Sequence, residues 1–246
     1  MPGNEAAIGQ MAKVRADVSE RVDSAVAAII ALCWDFRSPD FSFSDHLALL
    51  REANNILAEM SDGNLSDYET RAKLALAEAE LQDYEDDAID FAEEELGGED
   101  ALFRLDRQAD HLRDTLSIWL VVAALAGMTR EATIRQALTH LSNPEASKEW
   151  MAFGKKNPRW GRGFPIDVLT GMTTIGQDFI SRVFQFALVQ SFKDKGAIGY
   201  RTVRQSNYYC PLCDEMTERI WPLDQIVLPY HPRCVCKAVP VFEDDL

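Results

Sequence analysis

Four of the chain's five cysteines lie within its last 37 residues, around one of only four histidines. The segment runs Cys210-Pro211-Leu212-Cys213, then 17 residues, then His231-Pro232-Arg233-Cys234-Val235-Cys236. This clustering constrains the fold because it sets out the spacing of metal ligands. A Cys-x-x-Cys turn offers two thiolates from one tight knuckle, and His231 with Cys234 or Cys236 supplies a second pair that closes a tetrahedral zinc site. The expected ligands are four of the five residues Cys210, Cys213, His231, Cys234 and Cys236, with Cys236 competing for the fourth place. Four protein ligands leave no position for water or substrate, so the expected Zn2+ is structural. The alternatives are reduced buried cysteines or a Cys210–Cys213 redox pair. A thioredoxin-type pair opens a helix after a strand, and the flanking sequence supplies no such βαβ frame.

A chain of 246 residues can bury a sizeable core. No basic segment followed by an apolar run opens it, so no secretory signal is expected and the cysteines are expected to stay reduced. The longest apolar stretch, residues 118–128, is too short to span a bilayer and reads as a buried helix. No membrane partner is expected.

Charge is unevenly spread. Residues 1–147 carry 12 Lys/Arg against 29 Asp/Glu, whereas residues 148–237 carry 13 against 8. The acidic first part argues against wrapping nucleic acid with the whole surface.

Apolar residues at helical spacing dominate the first half. Ile8, Met11, Val14, Val18, Val22, Ala25, Ile29 and Leu32 form one stripe with steps of three and four. Cys33 sits on the same stripe and is expected to be an inert core thiol. Ser61-Asp62-Gly63-Asn64 reads as a loop, and a helix is expected from about Tyr68 to Leu96, stopped by Gly97-Gly98. Twelve acidic and no basic residues lie between Glu78 and Asp100, the pattern of a solvated helix face or of a surface for a basic partner or divalent cations. Further helices are expected over about 100–126 and 166–195. Short strands are expected at Tyr200–Arg204, Ile220-Trp221 and Ile226–Leu228, and Val239-Pro240-Val241 closes the chain.

The segment 154–165 is basic and rich in Gly and Pro. Lys155, Lys156, Arg159, Trp160 and Arg162 form a weak candidate contact for nucleic acid or another partner, where Trp160 can stack and the cations meet phosphates. The bland reading is a solvent-exposed connector. The expected organisation is an acidic helical domain over 1–153, this connector, and a C-terminal region over 166–246. The expected fold class is mainly α, a helical body with a small zinc-stapled β element at its end.

Cys210, Cys213, His231, Pro232, Cys234 and Cys236, preceded by a long helix and by Gly199-Tyr200 and Arg204, resemble the end of the phage Mu F-like minor head (head-morphogenesis) proteins. The specific likeness covers roughly 30 residues. Arg233 and Val235 depart from it, since the family commonly carries Asn and Arg there. The resemblance implies a non-enzymatic component of a tailed-phage or prophage head that aids head assembly or DNA packaging. It implies portal or capsid proteins as partners, possible contact with packaged DNA, and residence in the virion after assembly in the host cytoplasm. No nucleophile–base pair, phosphate-cradling loop or open metal site appears in the sequence, so no catalytic residue is expected. Two other classes fit the same residues. A treble-clef zinc nuclease needs a catalytic His beside the site, and His231 is the only one after residue 140. An adaptor or cargo protein would bind a basic partner through its acidic helices.

Overall fold

The computed structural model describes residues 4–34, 43–94, 100–142, 164–205, 210–217, 219–230 and 234–245; at 43–46, 94, 140, 142 and 164–167 it describes the backbone alone. Within these the protein is mainly α, as expected, with a small antiparallel sheet near its C-terminal end. The helices are α1 (Glu5–Leu32), α2 (Phe43–Glu78), α3 (Glu85–Glu94), α4 (Ala101–Leu125), α5 (Arg130–Ser142), α6 (Phe164–Asp194) and the short α7 (Pro211–Met216). The strands are β1 (Gly199–Val203), β2 (Ile220–Trp221) and β3 (Lys237–Val241). The expected connector at 154–165 lies outside the described residues, apart from the backbone of its last two positions.

The chain forms two compact units, each drawn from separate stretches of sequence. One comprises Met1–Val14, Leu65–Ala101 and Thr174–Leu246. Its core is the second part of α6, where Phe179, Ile180, Val183, Phe184, Ala187, Leu188, Val189 and Phe192 are all buried. A helix apolar around its circumference has to sit inside other elements, and each such large side chain contributes about 1.5–3 kcal/mol of burial. Tyr68, Ala72 and Leu76 of α2 and Ala88, Ile89 and Ala92 of α3 are buried in the same unit. The Phe91 and Phe186 rings lie 4.9 Å apart. Gly176 permits a close approach, since a Cβ there would stand 2.6 Å from Cδ1 of the Tyr68 ring.

The other unit comprises Arg15–Asn64 and Leu102–Thr173. Val18, Val22, Val26 and Ile30 of α1 are fully buried, as are Leu105, Leu112 and Ala123 of α4. Thr129 starts α5 by accepting the Ala132 N–H on its hydroxyl at 3.3 Å. The Trp119 indole donates to the Thr133 carbonyl at 3.2 Å.

Two boundaries differ from expectation. The polar run 61–64 is helical and lies inside α2. Ser61 and Asn64 are fully buried, and Gly63 leaves room where a Cβ would collide with the Arg21 guanidinium. Packing therefore overrides the local turn preference of these residues. The acidic stretch is not one helix to Leu96. The α2 helix ends at Glu78, and Glu80 adopts φ 59. The Leu81 N–H returns to the Leu76 carbonyl at 2.9 Å and the Glu80 N–H to Ala77 at 3.3 Å, the Schellman pattern of a helix end. Leu81 is buried by this turn. The α3 helix then exposes Asp86, Asp87 and Asp90 and buries Ala88, Ile89 and Ala92, so its acidic residues form a solvated face.

In the sheet, β1 is central, in the order β2-β1-β3, with Tyr200 opposite Trp221 on one side and Pro240 on the other. Tyr200 and Thr202 point inward and Arg201 and Val203 outward, the period-two alternation of a sheet with one wet face. Residues 226–228, expected as a strand, pair with no strand. None of the described helices is long and apolar enough to cross a membrane.

Candidate metal centre

Three of the expected ligand residues, Cys213, Cys234 and Cys236, come together near this sheet. Cys210 is extended and immediately precedes α7, which opens with Pro211 at its first position, where a missing N–H costs nothing. The Asp214 N–H returns to the Cys210 carbonyl at 3.0 Å. One turn of helix carries Cys213 inward, where it is 2% exposed. Cys234 and Cys236 lie on the extended approach to β3. Residues two apart on an extended chain share a face, so both thiols can turn the same way. Both are buried.

The thiol sulfurs of Cys213, Cys234 and Cys236 all lie within 4.8 Å of one another. Cys213 Sγ and Cys234 Sγ are 3.9 Å apart. A disulfide needs about 2.05 Å, so these cysteines are not bonded. A tetrahedron of thiolates at about 2.3 Å from zinc has an edge of about 3.8 Å, close to the separation seen. This is a buried three-thiol cluster that could hold a metal ion, and no other such group of His, Cys, Asp or Glu occurs among the described residues.

Burial and mutual proximity raise these thiols. Burial, above all, pushes the Cys213 thiol up to about 12, with further contributions from its neighbouring thiols. The Cys236 thiol is also raised, first by its hydrogen bond with Cys234 and then by burial. Without a cation these groups hold their protons, and a bound metal would displace them. Arg204 pairs with Asp214 beside the cluster, and its guanidinium lies in the field of Cys213 and Cys236.

The expected ligands divide as follows. Cys213, Cys234 and Cys236 come together, so the residue expected only as a competitor stands in the group. Cys210 is half-buried, and its side chain hydrogen-bonds to Cys213. His231 lies outside the described residues, as do Lys155, Lys156, Arg159, Trp160 and Arg162. Cys33 immediately follows α1 and is half-buried, not the core thiol expected, and burial raises its thiol.

Two residues with no signal in the sequence support the site. The Asn4 side-chain amide donates to the Cys236 carbonyl at 3.0 Å. Gln185 Nε2 donates to Asn4 Oδ1 at 3.0 Å, and the Ala238 N–H donates to Gln185 Oε1 at 3.3 Å. Asn4 and Gln185 are both buried.

No protein-family model, curated protein or solved structure matches the chain.

Proposed function

We propose that the cysteine cluster holds a structural Zn2+ and that the protein is a non-enzymatic minor component of a tailed-phage or prophage head. The observation that carries the metal reading is the burial of three convergent thiols, each 2–3% exposed. A site so enclosed presents no coordination position to a substrate. Cys210 or His231 completes the tetrahedron. Zinc, when bound, would supply cross-linking, joining α7 to the approach to β3. The protein's own residues orient the ligands through the α7 turn, the Arg204–Asp214 pair and the start of β3.

The head role rests on the Cys-x-x-Cys…His-Pro-x-Cys-x-Cys motif and its helix-and-strand lead-in. On that reading the partners are portal or inner-capsid proteins, and the cations of the segment 154–165 would make a weak contact with packaged DNA. Quantitative mass spectrometry of purified particles from the source phage or induced prophage tests it. Low but reproducible copy number in particles is the expected result. Absence from particles, with free protein abundant in the host cytoplasm, removes the head role. Elemental analysis tests the metal separately, with about one zinc per chain expected.

A further inference from the structure

The carbonyl of Cys236 and the N–H of Ala238 project from the same edge of β3. Successive residues of a strand direct their backbone groups to opposite edges, so positions 236 and 238 share one. Ala238 sits opposite Thr202 of β1 and directs its N–H away from that strand, to Gln185. Asn4 meets the neighbouring carbonyl, and Gln185 joins the two contacts by donating to Asn4. The result is a closed relay: Cys236 carbonyl, Asn4 amide, Gln185 amide, Ala238 N–H. Two side-chain amides occupy the place of a neighbouring strand. The next position on that edge, Pro240, has no N–H to satisfy.

Asn4 is placed as the cap of α1, because the Ile8 N–H donates to its carbonyl at 2.9 Å. A capping Asn ordinarily turns its side chain onto the first amides of its own helix. Here that side-chain oxygen accepts from Gln185 and the nitrogen reaches a cysteine of the metal cluster. Both side chains are at least 97% buried, where an unpaired amide would be costly, so the relay is held as a unit.

We propose that Asn4 and Gln185 are positioning residues of the metal centre. They set the peptide plane that follows Cys236, and with it the direction of the Cys236 thiol, so metal loading and the order of the first turn of α1 are linked. This inference rests on the metal-clip reading. Linkage is reciprocal: if the relay aids metal binding, metal binding strengthens the relay.

Zinc affinity, measured by competition with a chromogenic chelator, tests the first half. Asn4→Ala and Gln185→Ala are expected to lower it by roughly ten- to a hundredfold, the usual effect of losing an outer-shell partner. Asn4→Asp, which keeps the acceptor and removes the donor, is expected to lower it as far as Asn4→Ala. Gln177→Ala is the control. Gln177 donates to the Met11 carbonyl of α1 at 3.2 Å and belongs to no part of the relay, so its loss is expected to leave the affinity unchanged. Hydrogen exchange of the wild-type protein tests the second half without any variant. Removing zinc is expected to speed exchange in the first turn of α1 as well as around Cys236.

Equal affinity for wild type, Asn4→Ala and Gln185→Ala, with stoichiometric zinc in all three, overturns the inference and leaves the clip standing. An equal loss in Gln177→Ala also overturns it, because general loosening would then explain the effect. So does unchanged exchange at the start of α1 when zinc is removed. Wild-type protein that takes up no zinc overturns the clip and the relay's role together.

Discussion

The buried Tyr200 hydroxyl donates to the Gln225 carbonyl at 2.6 Å and accepts the Val227 N–H at 3.1 Å. One side-chain oxygen thus satisfies a carbonyl and an N–H of the segment after β2, which pairs with no strand. Tyr200→Phe strands a carbonyl and an N–H, and the expected loss of stability is about 2 kcal/mol, measured by urea unfolding.

The same phenol predicts a pH effect. Burial, the largest cause, pushes Tyr200 up to about 12 from an ordinary 10. Between those values the unfolded chain ionises this group and the folded one does not. Its contribution is therefore complete below pH 10 and lost as pH rises toward 12. The alkaline fall in unfolding free energy should be shallower in Tyr200→Phe than in wild type. Parallel slopes would show that the phenol ionises alike in both states.

Cys213→Ser and Cys236→Ser should each remove the metal and make the segment from β1 onward sensitive to protease. The loss of a structural ligand set typically costs several kcal/mol, on the order of half or more of a domain's net stability. The helices should keep their circular dichroism. Cys33→Ser should retain the metal, because Cys33 lies outside the thiol cluster. Proteolysis and zinc content on the same samples check both statements.

Glycines within helices should respond in opposite directions. A Cβ at Gly9 would meet nothing within 4 Å, so Gly9→Ala should stabilise by about 0.5–1 kcal/mol. A Cβ at Gly176 would run into the Tyr68 ring, so Gly176→Ala should destabilise by about 1–3 kcal/mol. Thermal unfolding of the two variants beside wild type checks the sign of each.

Glu80 is the one non-glycine residue with positive φ among those described. The helix ends at Gly127 and Gly196 use the same hydrogen-bond pattern with glycine in that place. Glu80 is exposed, so Glu80→Gly should relieve backbone strain without a packing loss and stabilise by about 1 kcal/mol. A lower unfolding midpoint would mean that Glu80 makes a contact worth more than the strain.

Much of the helical layout was legible because long apolar stripes carry their own period. Helices expected over 100–126 and 166–195 appear at Ala101–Leu125 and Phe164–Asp194. The strands at 199–203 and 220–221 were legible from alternation and short apolar pairs, whereas 226–228, expected as a strand, is not one. The errors fell where local preference and packing disagree. Ser61, Gly63 and Asn64 read as a loop by themselves, yet burial and the Arg21 contact hold them in a helix. No propensity marks Glu80 as a helix end, because its left-handed conformation follows from burying Leu81.

Sequence alone determined the chemistry of the candidate site. Thiols at spacings of three and two residues can turn toward a common point because a helical turn and an extended strand bring such neighbours onto one face. It also determined the mainly helical class, since periodic apolar stripes must bury themselves somewhere. Tertiary structure decided which thiols meet: Cys236 joins Cys213 and Cys234 because β3 pairs with β1 in this register. It alone decided that Asn4 and Gln185 support that cysteine. Those contacts join residues 232 and 181 positions apart, and only packing of the folded chain brings such distant amides within hydrogen-bonding distance.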